Sequence, residues 1–456
     1  MKIFKINIFT LLLGFGIMAN SAFAQQAKDT TNYAFSLQQS IDYALQHQSS
    51  IINSQYDEQI ADQKVKEIRG IGLPQINGDL DAKDFLEIPT QLIPGEFFGG
   101  PPGTFVGLKF GTKYNATGEI DASQIVFDGS YLVGLQAAKV YKELSTINTQ
   151  RTKIDVAEAV TKAYYSVLVS QEQLKLITAN IDRLESLQKE TKVMFDNGFA
   201  EQIDLDRITV TYNNTLVEKE KTDRLIQLSY GLLKYQMGMN QNQQLSLTDS
   251  LGAVDFTPPA QTSGNFNYSN RVEYALSQTQ LKIAQLQLKK NHFDYLPSVV
   301  LYGSFSQQAQ RNEFNILQGG QPWYPTQFVG LKISIPIFDG FQRHFQAQES
   351  ALGVLQAKNN LNALQQSIDF QMNNAQINLQ NAASSLDIQK KNISLAENVD
   401  NVAKKKYEQG VGSNIELITA ETSLKEAQTN YYSALYDAII AKIELQKSEG
   451  TLLKTR

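Results

Sequence analysis

Two long segments without proline, each ending in the same kind of glycine turn, restrict the folds open to this chain more than any other feature. The turns read "FDNGFAEQIDL" from Phe195 to Leu205 and "YEQGVGSNIEL" from Tyr407 to Leu417. Each lies about 70 residues after an aromatic-Asp-Gly turn, at Gly129 and at Gly340. A helix of that length spans about 100 Å. Such a helix must pack along its length against other helices.

Helical periodicity runs through both segments and continues after both glycine turns. Apolar and small residues return every three or four positions, which is the spacing of a coiled-coil seam. We therefore expect each glycine turn to join two antiparallel helices at the end of a long hairpin. The predicted seam after the second turn consists of Leu417, Ala420, Leu424, Ala427, Tyr431, Ala434, Ala438, Ala441 and Leu445.

The residues between Leu73 and Gly129, and between Leu296 and Gly340, change to a period of two. This alternation predicts two half-buried strands in each copy. The loops that join them are rich in Gly, Pro and aromatic residues, and Trp323 either belongs to an interfacial girdle or packs within its own loop. The stretch 105–127 is too long for one membrane strand, so part of it must project beyond the bilayer or be irregular. The polar side of the first pair carries Asp79, Asp81, Lys109, Lys113, Glu119 and Asp121.

The chain begins with a predicted secretory signal peptide over residues 1–24, and we expect export without lipidation because the sequence has no cysteine. The remainder divides into a first repeat (25–250), a polar linker (251–269) and a second repeat (270–456). A formal net charge of −5 with dispersed basic residues argues against nucleic-acid binding. No later stretch approaches the roughly 20 apolar residues of a spanning helix.

Four strands cannot close a barrel by themselves, because single-chain bacterial barrels begin at about eight strands. If the strands span a membrane, several chains must share one barrel. Two chains would form a barrel filled by its own side chains, whereas three would supply about twelve strands and leave a lumen. The polar side of the strands, with the six charged residues given above, would line that lumen.

The chain after residue 24 resembles the TolC-like outer-membrane efflux proteins. The resemblance rests on the doubled strand-helix plan, on "YLPSVVLYGSF" from Tyr295, on "IPIFDG" from Ile335 and on the segment from Tyr407 to Gly450. It implies an α+β membrane protein: a homotrimer with a twelve-stranded β-barrel in outer-membrane lipid and a periplasmic barrel of coiled-coil helices. It also implies a passive exit duct for efflux or type I secretion, working with a periplasmic adaptor (membrane fusion) protein and an inner-membrane pump.

The same resemblance assigns roles to particular residues. The adaptor would dock at the tip turns, although Glu201 in the first turn occupies the place of the helix-capping Ser413 in the second. Glu397 and Asp400 lie one helical turn apart near the periplasmic entrance, where they form either an acidic gate or an ordinary solvated surface. The predicted docking residues are Asn197, Gly198, Gly410, Val411, Gly412 and Ser413.

No arrangement of residues indicates catalysis. His47, His292 and His344 lie in different predicted elements, with no spacing typical of a metal site or a catalytic triad. We therefore expect no enzyme activity, cofactor or metal. The main alternative is a periplasmic coiled-coil adaptor or scaffold with a small soluble β-domain. Drugs, metal ions and polypeptides all remain open as cargo.

Overall fold

The computed structural model describes residues 32–251, 266–316 and 318–453, so the predicted signal peptide and most of the predicted linker lie outside it. The elements alternate between groups of strands and long helices. In chain order they are β1 (Asn32–Phe35), α1 (Leu37–His47), α2 (Ser49–Ile71), β2 (Gln75–Asp84), β3 (Thr90–Pro94), β4 (Phe105–Lys109), β5 (Tyr114–Phe127), α3 (Gly129–Asp196), α4 (Gln202–Met237), β6 (Gln244–Leu247), α5 (Val272–Phe293), β7 (Ser298–Arg311), β8 (Tyr324–Ser334), α6 (Gln342–Glu408) and α7 (Asn414–Glu449).

Both predicted helical hairpins are present. Helices α3 and α6 have 68 and 67 residues, and each turns back into a helix of 36 residues, α4 or α7. Gly198 and Gly410 adopt φ angles of 78° and 73° at the two tips, a left-handed conformation that glycine takes without steric cost. The predicted seam of α7 is buried at every position except Tyr431, which is half-buried. This burial confirms the coiled-coil register.

The four predicted strands form one antiparallel sheet in the order β2-β5-β7-β8. Register pairs such as Ile120 with Phe305 place apolar side chains on one face, and pairs such as Asp79 with Glu119 place polar ones on the other. The apolar face is exposed in the single chain, and Leu80 is 93% exposed there. The alternation predicted from the sequence therefore corresponds to the two faces of a real sheet.

The stretch 105–127 is not one strand, which corrects part of the prediction. Strand β4 ends at Lys109 and β5 begins at Tyr114, with Gly111 at φ 132° between them. Strand β4 pairs with β3 in a separate two-stranded ribbon. Lys109 therefore belongs to that ribbon and Lys113 precedes β5, so neither is a lumen-facing residue of the four-stranded sheet. The break also removes the excess length, because β5 has only 14 residues.

A hydrophobic core lies around the middle of α3, where α1, the end of α4 and the strands β1 and β6 pack against it. Strands β1 and β6, neither of which is predicted from the sequence, pair in parallel. The hydroxyl of Tyr164, whose side chain is fully buried, donates to the carbonyl oxygen of Phe35 at 3.2 Å. Apolar side chains from α1, α3 and α4 surround this contact. The prediction failed here because a strand of four residues is too short to establish a period.

Within residues 32–251, 266–316 and 318–453, no helix combines the length and apolar character that crossing a membrane would require.

Candidate functional site

The hairpin tips lie together at the end of the helices away from the sheet. Asn414 of the second tip donates from Nδ2 to the carbonyl oxygen of Asp204 in the first, at 3.2 Å. Tyr407 and Thr191 place their hydroxyl groups 3.2 Å apart one turn further along. A small core formed by all four long helices closes this end. The two turns therefore form one continuous surface within a single chain.

The predicted docking residues occupy this surface. Most of them are exposed: Asn197, Gly198, Gly410, Val411 and Ser413, with Gly412 half-buried. Two apolar side chains project furthest, with Phe199 at 81% exposure and Val411 at 76%. Sequence reasoning had not included Phe199, although an aromatic residue next to a turn glycine is a readable signal.

The two tips start their second helices differently, as the sequence predicted. Ser413 Oγ accepts from the backbone N of Glu416 at 3.2 Å and caps α7. In the first tip the direction is reversed, because the backbone N of Glu201 donates to Oδ2 of Asp204 at 3.3 Å. A hydroxyl cap satisfies one of the free N–H groups that every helix start leaves.

An open groove of about 580 Å³ runs between α4 and α7 from the tips toward the sheet. Its floor is mainly aliphatic, and a charged pair, Asp206 and Arg207, lies along one side. Aliphatic side chains at helical spacing with charges beside them are what an amphipathic partner helix recognises. The groove is lined by Ile203, Asp206, Arg207, Val210, Thr211, Ile415, Ile418 and Thr419.

A buried polar cluster joins the two hairpins further from the tips; we call it the Arg183 cluster. It consists of Asn180 and Arg183 on α3, Asp400 on α6, and Glu421 and Gln428 on α7. The guanidinium of Arg183 lies 3.3 Å from Oδ2 of Asp400 and 3.3 Å from Oε1 of Glu421. Asn180 donates from Nδ2 to Oε1 of Gln428 at 3.0 Å. One cation on the first hairpin thus holds two carboxyl groups of the second.

The charges of the Arg183 cluster do not balance. Asp400 is 2% exposed and Glu421 is 7% exposed, and burial disfavours the ionised form of both. Burial raises the pKa of Glu421 to about 7 against the opposing effect of Arg183, and it raises the pKa of Asp400 as well. Near neutral pH the two carboxyl groups therefore retain a proton for part of the time, as expected for two acids that share one cation.

The structure separates the two predicted gate residues. Glu397 is exposed, whereas Asp400 is buried against Arg183, so they do not share a solvated face. The interpretation of Asp400 as a surface residue is therefore wrong, and its side chain points into the contact between hairpins. Glu397 remains a candidate for the entrance.

Sequence reasoning missed Arg183, Asn180 and Glu421, although one signal for the cluster was available. On α7, three buried polar residues follow one another at intervals of seven, namely Asn414, Glu421 and Gln428. Polar residues repeated at a heptad interval beside an apolar seam mark a second contact face. No comparable repeat marks Arg183, whose carboxylate partners Asp400 and Glu421 come from helices far away in the sequence.

The polar face of the sheet brings four of the predicted lumen residues together. Asp79 lies directly opposite Glu119, and Asp81 and Asp121 are one step away on the same strands. Ser304 on β7 donates to Oε1 of Glu119 at 2.6 Å. Lys83 is the neighbouring cation, 3.1 Å from Asp81. With Lys109 and Lys113 outside the sheet, this face is more acidic than the sequence suggested.

Comparison with known proteins agrees with this architecture. Residues 268–451 match a model of the family described as "Outer membrane efflux protein". The outer membrane protein TolC of Vibrio cholerae is 19% identical over 334 residues, or 73% of this chain and 76% of that protein. The outer membrane protein VceC of Vibrio cholerae has a similar structure, with a TM-score of 0.69 at 14% identity over 91% of this chain and 96% of that one. The CmeC outer membrane channel of Campylobacter jejuni gives a TM-score of 0.71 at 14% identity, covering 91% and 85%.

Long helical hairpins joined to a four-stranded antiparallel sheet define an α+β protein with the fold of an outer-membrane channel, in which an α-helical barrel continues a β-barrel. Residues 268–451 carry the outer membrane efflux protein family match, and the resemblance of the chain to the TolC-like proteins is confirmed. The matched family and the compared proteins are described as outer-membrane proteins.

Proposed function

We propose that the chain is one subunit of a homotrimeric exit duct. The duct passively conducts substrates from a periplasmic adaptor and an inner-membrane pump through the outer membrane. One observation carries this proposal: both the sheet and the helical layer of a single chain end in unpaired edges that complement each other.

The sheet ends in β2 on one side and β8 on the other. Strand β2 runs away from the helices and β8 runs toward them, so β8 of one copy can pair antiparallel with β2 of the next. Each free backbone group of an unpaired strand edge costs roughly several kcal/mol in hydrocarbon, and this cost favours closure of the sheet into a barrel. Three copies then form a closed barrel of about twelve strands with the polar face inside.

The helical layer ends in two apolar stripes without a partner in the chain. Both follow helical periodicity along their helix, so each lies on a single face. A surface on one side of a subunit that matches a different surface on its other side generates a closed ring. The stripe on α4 contains Val217, Leu228 and Tyr235, and that on α6 contains Phe370, Ile377, Ile388, Leu395 and Val402.

The tips and the groove between α4 and α7 supply the adaptor surface. Phe199 and Val411 project from the end of the duct, and the groove offers aliphatic side chains to a helix. A helical hairpin of an adaptor, with apolar residues at three- and four-residue spacing, has the required shape.

The Arg183 cluster and Glu397 are the candidate gate. The cluster holds the second hairpin against the first, so separation of the hairpins requires Asp400 and Glu421 to leave Arg183. In a ring of three copies, the exposed Glu397 would contribute one carboxylate from each subunit to the entrance. The polar sheet face would add a wider acidic band higher in the duct, a composition that attracts cations.

The proposal is tested by the mass and conductance of the protein purified from outer membranes. The parent chain should form trimers and give discrete channel steps in planar bilayers. Val217→Asp, in the α4 stripe, should abolish the trimer because it buries a carboxylate between copies. Ser186→Asp, on the exposed face of α3, adds the same charge outside both stripes and should leave the trimer intact. A soluble monomer that leaves the bilayer silent would refute the channel.

A further inference from the structure

The β3–β4 ribbon exposes apolar side chains on both of its faces. Its register pairs Leu92 with Gly107 and Ile93 with Val106, so successive residues alternate between the faces. Leu92 and Phe105 are exposed on one side and Val106 on the other, with Phe97 at the far end. An isolated two-stranded ribbon is only marginally stable in water. This ribbon therefore needs a covering surface that the single chain does not supply.

The ribbon extends beyond the lipid-facing part of the sheet, which argues against lipid as that cover. It continues the β2–β5 hairpin, because the backbone N of Phe85 donates to the carbonyl oxygen of Lys113 at 2.8 Å. The last pair of the sheet below it is Tyr114 with Arg311, where a guanidinium ends the apolar face. Residues 85–113 carry two acids and two lysines, so no net charge draws them to phosphate headgroups.

A second apolar surface lies at the same end of the sheet, on the opposite edge. It is the β7–β8 loop, described over residues 312–316 and 318–323, in which Phe314 is 76% exposed and Trp323 is also exposed. The guanidinium of Arg311 donates to the carbonyl oxygen of Pro322 and holds the end of this loop. Phe314 also packs edge-on against Tyr114, with ring centroids 5.5 Å apart. The loop is thus held close to the sheet with its aromatic side chains outward.

We propose that the ribbon of one copy packs against the β7–β8 loop of the neighbouring copy and forms an extracellular collar above the barrel. This inference rests on the proposed ring. When β2 pairs antiparallel with β8 of the next copy, the residues just after β2 meet those just before β8. Leu86 of one copy then faces Trp323 of the other. At each seam, the apolar side chains of the ribbon side of one copy and of the loop of the next copy shield one another from water.

Cysteine crosslinking tests the collar directly, since the chain contains no cysteine of its own. Position 86 comes just after β2 and position 323 just before β8. Within one copy these two strands are three strand spacings apart, about 14 Å, whereas across a seam they are one spacing apart, about 5 Å. We expect Leu86→Cys combined with Trp323→Cys to give covalent dimers and trimers with a thiol crosslinker of about 5 Å. Each single variant should stay monomeric in denaturing gels.

A labelling experiment gives an independent result that needs only one substitution. In the assembled protein, Leu86→Cys should react with a membrane-impermeant maleimide at least about tenfold more slowly than Pro102→Cys, which lies in the exposed end of the ribbon. Intact trimers with no crosslink and equal labelling rates would overturn the collar and leave the exit duct standing. Loss of the trimer in the parent chain would instead refute the duct itself.

Discussion

The Arg183 cluster makes the contact between the two hairpins depend on pH, and Glu421→Gln should remove most of that dependence. In the folded chain the pKa of Glu421 is about 7, compared with 4.5 for an ordinary glutamate. The folded state therefore holds the proton to higher pH than the unfolded segment does. The contribution of Glu421 to the stability of this contact is therefore greatest below about pH 4.5. It falls as the pH rises from about 4.5 to about 7 and levels off above that.

Each pKa unit corresponds to about 1.4 kcal/mol, so the difference between the folded and the ordinary pKa of Glu421 changes the opening free energy by about 3 kcal/mol. Because Glu421 is only 7% exposed, solvent screening reduces this value little. Arg183 and Lys404 favour the ionised form and Asp400 disfavours it, and these effects are already part of the shift. A glutamine keeps an oxygen for Arg183 but has no proton to lose. The variant should thus gain about 3 kcal/mol relative to the parent between pH 4.5 and pH 8.

Amide hydrogen exchange around residues 417–424 of α7, corrected for intrinsic rates, measures the local opening free energy at both pH values. We expect the parent to lose protection by about two orders of magnitude between pH 4.5 and pH 8, and Glu421→Gln to lose much less. Glu426→Gln makes the same change at an exposed position of α7 and serves as the control. Parallel pH profiles for the parent and Glu421→Gln would refute the assignment.

Three further outcomes are expected. Arg183→Met leaves two buried carboxyl groups without their cation and should cost about 3–5 kcal/mol of opening free energy in α7 at pH 8, with a smaller loss at pH 5; Lys175→Met, on the exposed face of α3, should change it little. Gly410→Ala forces alanine into positive φ and should cost about 1–2 kcal/mol in thermal unfolding, whereas Gly134→Ala, inside α3 with open space around it, should stabilise the helix by about 0.5–1 kcal/mol. Asp79→Asn with Glu119→Gln should reduce cation selectivity, seen as a smaller reversal potential in a salt gradient, and Lys109→Gln in the ribbon should leave it nearly unchanged.

The helical hairpins were predictable because a coiled-coil seam is a local, repeated pattern. The positions from Leu417 to Leu445 follow the heptad with few exceptions, and the structure buries them. Gly198 and Gly410 mark the tips for a similar local reason, since both take a backbone conformation that other residues avoid.

The sheet was only partly predictable from the same kind of pattern. Alternation located β2, β5, β7 and β8, but it ran without interruption from Val106 to Ala122 and concealed the break at Gly111. A period of two carries no information about which strand lies beside which. For that reason the alternation places Lys109 on the polar face of the sheet, although it belongs to the ribbon.

The sequence by itself determined the repeat, the hairpins, the glycine tips and the two faces of the strands, because each follows from periodicity or backbone preference within one segment. Only the tertiary structure decided that Arg183 meets Asp400 and Glu421, and that the strands are ordered β2-β5-β7-β8. Those contacts join residues more than 200 positions apart in the case of Arg183 and Asp400. They depend on how separate helices and strands pack, and packing is a property of the whole chain that no single segment encodes.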